Sequence, residues 1–194
     1  MSQVIANMSM SLDGYIADEA DGIDQLFGWM GNGEVEVPTA VEWATFKMSP
    51  ASARYMRDAL EGVGALIAGR HLFDLTQGWG GTHPLGVPVV VVTHEPPKDW
   101  PHTETFTFVD SVEQAVEVAR RAAGDKNVVV ASAKIAQQCL DAHLLDAIHV
   151  DLVPVLLGEG VRWFEHLSKA PVQLGDPAVI QGTGVTHLAY PVVK

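Results

Sequence analysis

The sequence has one cysteine, few cations and no long apolar run, and each shortage removes a class of function. Cys139 stands alone, so no intrachain disulfide forms and a cysteine-based zinc site is excluded. Its helical, apolar surroundings make it a buried structural thiol rather than a nucleophile. Twelve Lys and Arg stand against 24 Asp and Glu, a net charge of −12. Nucleic acid and anionic membrane both require a basic surface, so neither is expected as a partner. A small anion, held by a few local cations, is still compatible. No apolar stretch approaches the length of a membrane span, and MSQVIANMSMSLDG carries no signal-peptide pattern, so a cytoplasmic location is expected. The eight His are scattered, with no HExxH or similar spacing, so no metal site is expected. GxSxG, GxxxxGK[ST] and GxGxxG do not occur, which removes support for serine hydrolases, P-loop proteins and ordinary dinucleotide-binding domains.

What is present is the profile of a folded chain: 194 residues, 47% hydrophobic and 19% charged, enough for one domain over residues 1–194. VIANMSM (4–10) reads as a first strand. Gly, Asp and Asn dominate residues 11–38, a long loop region of the kind that often carries function. TAVEWATFKM is expected to be a short helix. SPASARYMRDAL is a second, with Ser49 as cap and Pro50 in its first turn. GALIAG (64–69) and VPVVVVTH (87–94) are buried strands, the latter too apolar to own a solvent face. TFTFV follows as a strand, and SVEQAVEVARRAAG is an amphipathic helix capped by Ser111 and stopped by Gly124. NVVVA (127–131) is a strand that runs straight into a helix over 133–142. AIHVDLVPVLLG is a strand with Ile148, Val150 and Leu152 on one face and His149, Asp151 and Val153 on the other. Two last strands flank Gly182-Thr183-Gly184 as a hairpin.

Strands alternating with helices predict an α/β protein: a mixed, mostly parallel twisted sheet, helices on both faces, and an antiparallel C-terminal hairpin at one edge. Ligands bind such sheets at the carboxyl ends of the strands, here residues 10–14, 69–73, 93–94 and 131–134. Gly69 allows close backbone approach and Arg70 offers a fork of donors suited to phosphate, unless the pair is only a turn with a surface arginine. Thr93 and His94 end the next strand. Asp13-Gly14 is either a simple turn or a carboxylate poised beside the first strand. His149 and Asp151 share one strand face, which lines a pocket, lies in an interface or faces water. The junction at Ala131-Ser132 places a helix N-terminus where anions bind, but without the usual glycines.

SLDGYIA, LIAGRHLFD, GWGG, VPVVVVTH and LLDAIHVDLVPVLLGEGVRWF occur in an order and spacing that resembles the dihydrofolate-reductase-like superfamily. Within it, the likeness is to the reductase domain of riboflavin biosynthesis and its stand-alone bacterial relatives, over about residues 4–193. The resemblance implies a three-layer fold with a twisted sheet of eight or so strands. It implies an NADPH-dependent reductase, resembling 5-amino-6-(5-phosphoribosylamino)uracil reductase of riboflavin biosynthesis, that transfers hydride to a small heterocyclic or carbonyl substrate. The cofactor would be held by Gly69, Arg70, His71, Thr93 and His94, and by Ala131, Ser132, Ala133, Lys134 and Ile135. Asp13 and His149 would be the catalytic candidates, with Glu42 behind Asp13. A homodimer is implied too, with the face carrying Val153 and Val155 as the candidate interface. Two departures stand out. Ala131-Ser132 replaces the family's Gly-Gly pair, although the Ser132 hydroxyl could offset this as a helix N-cap. The place of the pterin-binding acid falls at about Ala53-Arg54, where there is none. Two alternatives follow: dihydrofolate reductase activity, and a catalytically impaired dimeric nucleotide-binding protein.

Overall fold

A computed structural model of the chain describes residues 2–102 and 104–194. Twelve strands and five α-helices appear among them: β1 (Val4–Ser11), β2 (Tyr15–Ala17), α1 (Asp24–Phe27), β3 (Val35–Pro38), β4 (Thr45–Met48), α2 (Pro50–Gly62), β5 (Val63–Gly69), α3 (Arg70–Leu75), β6 (Val89–Val92), β7 (Phe106–Val109), α4 (Val112–Ala123), β8 (Asn127–Val130), α5 (Ala133–Asp141), β9 (Ala147–Val153), β10 (Val161–Arg162), β11 (Ala178–Gln181) and β12 (Thr186–Pro191). Eight strands form one sheet in the order β11-β12-β9-β1-β8-β5-β6-β7. The pairs from β9 through β7 are parallel, while β12 and β11 add the expected antiparallel edge.

Alternation along the strands feeds two faces. Ala65 and Ile67 of β5 join Val4, Val128, Val130 and Val90 beneath α4 and α5. Leu66 and Ala68 turn the other way, toward Phe73 of α3 with Val89 and Val91. With both faces covered, β6 has no solvent side, which explains its unbroken valines. Burying Ile67 completely is worth roughly 1.5–3 kcal/mol. The helices start as their sequences dictate. Ser49 Oγ accepts from the Ser52 N–H at 3.3 Å with Pro50 in the first turn, and Ser111 Oγ accepts from the Gln114 N–H at 3.3 Å.

Three expectations are corrected. TAVEWATFKM is not a helix: residues 45–48 form β4, paired with β3. Its Thr45/Phe46/Lys47/Met48 alternation, outward and inward in turn, is a period of two, which a sheet satisfies and a helix does not. The loop 11–38 is not structureless, since it holds β2, α1 and β3. Val153 is 7% exposed and packs with Val155 against Leu26, Trp29 and Met48, so that face is core and offers no subunit interface. Exposed apolar residues nearby include Leu156, next to Val155, and Val179 and Ile180 on the edge strand β11.

Candidate functional site

Strand register brings together residues that are far apart in sequence. Ser9 of β1 pairs with Asp151 of β9, which pairs with His187 of β12. One step back, Asn7 pairs with His149. Register partners point to the same side of a sheet, so these residues form two polar rows on one face. Helix α2 lies over that face. Its positions 52, 55, 56 and 59 fall on one helical stripe, carrying Ser52, Tyr55, Met56 and Ala59. Between helix and sheet is a cavity of about 680 Å³. Phe27, Met30, Trp43, Phe46 and Trp79 supply its apolar walls, and Asn7, Tyr55, His149 and Asp151 its polar floor.

The row at Asp151 is a closed hydrogen-bond chain. His187 Nδ1 lies 2.7 Å from Asp151 Oδ1 and its Nε2 lies 2.9 Å from Ser52 Oγ. A carboxylate only accepts, so Nδ1 carries the proton, and a neutral ring then accepts the Ser52 hydroxyl at Nε2. Asn7 Nδ2 donates to the other Asp151 oxygen at 3.3 Å. Tyr55 stacks on the His187 ring at 4.0 Å and Trp29 meets it edge-on at 5.0 Å. Burial, helped by the Asp151 charge, raises the Tyr55 phenol well above its ordinary range, so it stays a neutral donor. Burial also lowers His149, with Asp151 opposing. On the opposite wall burial lowers His83 to about 4, and its Nδ1 accepts from the Leu85 N–H at 3.1 Å, which requires that nitrogen unprotonated. The wall turn beside it is unusual: Gly78, Trp79 and Gly80 all have φ between 50° and 65°. A Cβ at Gly78 would fall 2.4 Å from the Trp100 ring, so only glycine fits.

The cofactor candidates gather at the carboxyl end of β8, β5 and β6, where Gly69 pairs with Val92 and Ile67 with Val130. Ala131 lines the cavity, and Ala133, Lys134 and Ile135 form the first turn of α5. Ser132 is the N-cap residue, but its hydroxyl does not cap the helix. It accepts the Gly69 N–H at 2.9 Å instead, tying β5 to α5. The first-turn amides of α5 therefore have no side-chain acceptor among the described residues. Arg70 is less available than its sequence implies. Its Nε is 2.8 Å from Asp74, and Nη1 donates to the Glu95 carbonyl. His71 Nε2 is 3.0 Å from Asp21. Thr93 Oγ1 accepts from the Glu95 N–H at 3.1 Å, and His94 is exposed.

Asp13 lies outside the cavity lining. Its carboxylate accepts from Ser11 Oγ at 2.6 Å, Gly158 N–H at 2.7 Å and Leu157 N–H at 3.2 Å. These bonds, Ser11 foremost, hold it at about 2 despite some desolvation. SLDGYIA and LLGEGVRW are thus two halves of one junction, closed further by Arg162 Nη2 on the Tyr15 hydroxyl at 2.9 Å and by Arg162 over the Tyr15 ring at 4.4 Å. Glu42 is exposed. Sequence reasoning noted the shared face of His149 and Asp151 but missed Ser52, Tyr55 and His187. Only the helical stripe on α2 hinted at the first two, and nothing local marked His187.

The family model for the RibD C-terminal domain matches residues 2–177. Among solved structures, a protein of Shewanella sp. PV-4 described as a riboflavin biosynthesis protein is 20% identical, with 99% of each chain covered and a TM-score of 0.74. Dihydrofolate reductase of Enterococcus faecalis, solved with NADP(H), is 14% identical, covering 99% of this chain and 97% of that one at a TM-score of 0.58. The diaminohydroxyphosphoribosylaminopyrimidine deaminase/5-amino-6-(5-phosphoribosylamino)uracil reductase of Thermotoga maritima is 13% identical with a TM-score of 0.60. The match covers 99% of this chain and 57% of that one, so the chain spans little more than half of that enzyme's length. No curated protein matches the chain by sequence. The eight-stranded, mostly parallel sheet with its antiparallel edge is a dihydrofolate-reductase-like α/β fold. With residues 2–177 under one family model, the chain belongs to the RibD C-terminal domain family.

Proposed function

We propose that the protein is an NADPH-dependent reductase of a small heterocyclic or carbonyl compound. One observation carries this reading: a single cavity runs from Ala131, beside the N-terminus of α5, to the polar floor at Asn7, His149 and Asp151. A hydride donor and its acceptor need such a shared, largely apolar space with a few fixed polar groups. The first-turn amides of α5, left without a side-chain acceptor, suit a pyrophosphate, and Gly69, Ser132 and Ile135 would shape that end. Arg70, His71, Thr93 and His94 would lie toward the far phosphate, Arg70 with the Nη2 donors it does not spend on Asp74 or Glu95. The bound nicotinamide would supply the hydride. The chain's own groups orient the acceptor and hold its proton, with His149 and Asp151 nearest the reacting centre.

Family membership and the reductases named among the structural relatives support the oxidoreductase assignment. Dihydrofolate itself is a weaker candidate, because the buried stripe of α2 carries no acid and its one acid on the cavity, Asp58, is exposed at the rim. The test is a melting curve with and without NADPH. At a hundredfold excess over its dissociation constant the cofactor adds about 2.7 kcal/mol, or roughly 5–11 °C for a chain of this size. No shift at millimolar NADPH would overturn the assignment and favour the impaired, nucleotide-free alternative. A homodimer formed through the exposed edge strand β11 belongs to the same proposal, and a monomeric mass by light scattering would remove it.

A further inference from the structure

We infer that the substrate is an uncharged or cationic planar heterocycle without a phosphate group, which deepens the reductase reading and rests on it. Among the described residues, no Lys or Arg lines the cavity. Its charged groups are Asp58 at the rim and Asp151 at the floor, both negative. The two lining histidines stay neutral at pH 7, because burial lowers both. Burying a phosphate dianion at the floor end, away from the α5 amides that suit the cofactor, would carry its desolvation cost with no cation to offset it, and beside carboxylates. The walls fit a flat apolar ring instead: Trp43, Trp79, Phe27 and Phe46 offer π faces, and Asn7, Tyr55 and Asp151 offer donors and an acceptor for ring polar atoms. A ribose 5′-phosphate, as in the substrate named for the Thermotoga enzyme, has no counter-charge in this cavity. The experiment compares 5-amino-6-(5-phosphoribosylamino)uracil with the same compound lacking its 5′-phosphate, by melting shift and by NADPH oxidation. The inference expects the unphosphorylated form to bind at least tenfold more tightly. It also expects Asp58→Lys, an exposed rim change, to narrow that gap. Tighter binding of the phosphorylated form to the unaltered protein overturns the inference. The melting shift reads binding even if NADPH is never oxidised, so a failed reductase reading is seen separately.

A second inference rests on the buried hydrogen-bond chain. Reducing a carbon–heteroatom double bond takes a hydride at carbon and a proton at the heteroatom. We propose that Asp151, His187, Ser52 and Ser49 form the wire that resupplies this proton. Every donor points the same way. Ser49 Oγ, half-buried at the start of α2, donates to Ser52 Oγ at 3.1 Å, Ser52 to His187 Nε2, and His187 Nδ1 to Asp151 in the cavity. Asp151, a carboxylate at rest, takes the His187 Nδ1 proton as the reduced heteroatom is protonated, Ser52 protonates Nε2, and solvent reloads Ser49; His187 is left as its Nε2–H tautomer and exchanges back with solvent before the next turnover. His187 and Ser52 act through Asp151 and are positioning residues. The groups facing His187 are Asp151 from β9 and Tyr55 and Ser52 from α2. The test uses the ligand-free protein: solvent exchange of the His187 ring N–H by NMR. Exchange should be fast although His187 is only 2% exposed, at least tenfold slower in Ser52→Ala, and restored in Ser52→Thr, which keeps the hydroxyl. Slow exchange in the unaltered protein, or exchange indifferent to Ser52→Ala, overturns the wire. In turnover, Ser52→Ala should lower kcat with little change in KM and enlarge the solvent isotope effect. Fast exchange in a protein that oxidises no NADPH would sink the reductase reading and leave the wire without its role.

Discussion

The pairing of His187 with Asp151 can be tested as an energetic unit. Both side chains are nearly sealed, at 2% and 4% exposure. His187→Phe keeps the volume and the aromatic contacts with Tyr55 and Trp29. It leaves the Asp151 carboxylate with Asn7, at 3.3 Å, and the Tyr55 phenol as its side-chain partners. Taking the main hydrogen bond from a buried carboxylate costs about 1.5–3 kcal/mol. At roughly 2–4 °C per kcal/mol for a chain of this size, the melting temperature should fall by about 3–12 °C. Asp151→Val alone leaves a neutral imidazole N–H unpaired, a cost of about 1–3 kcal/mol. The double variant removes both polar groups and should recover most of the loss, so the cycle gives a coupling of at least about 2 kcal/mol. Urea unfolding of the four proteins at pH 7 measures it. A His187→Phe cost below about 1 kcal/mol, with additive singles, would show that the cluster is not a coupled buried pair.

Ser132→Ala should orphan the Gly69 N–H and cost about 1–3 kcal/mol of stability, with NADPH affinity falling as the strand end loosens; an unchanged melting temperature would refute the link from β5 to α5. His83 is lowered to about 4 from an ordinary 6.5. The unfolded chain therefore binds its proton first, and stability should fall as pH drops from 6.5 toward 4, by on the order of 3 kcal/mol. His83→Gln should flatten that window in pH-dependent melts. Asp13, held at about 2, contributes stability that is full above about pH 4 and lost as pH falls toward 2. Asp13→Asn should remove that acid-dependent loss and loosen residues 155–163 in hydrogen exchange, while NADPH binding persists.

Local pattern was enough for most elements, because period and capping are properties of a few consecutive residues. Ser49-Pro50 started α2, Ser111 and Gly124 bounded α4, and the alternation from Ala147 to Val153 set β9. It failed over residues 39–48, where a four-residue strand is too short to outvote a helical reading until its partner Val35–Pro38 is known. SLDG and LLGEG were legible as motifs, but their meeting at Asp13 spans 144 residues of chain, and no local rule states which loops touch.

The sequence by itself determined the fold class and the strand-end candidates at Gly69 and Ala131, since capping and period act locally. Only the tertiary structure decided what lines the cavity. Parallel pairing of β1 with β9 and antiparallel pairing of β9 with β12 set Ser9, Asp151 and His187 side by side, and α2 closed Ser52 and Tyr55 over them. Ser132 changed from a helix cap to a strand tie for the same reason: its hydroxyl lies nearer the Gly69 amide of a neighbouring strand than the amides of its own helix. Hydrogen-bond partners are chosen by distance in space, and distance in space is set by register.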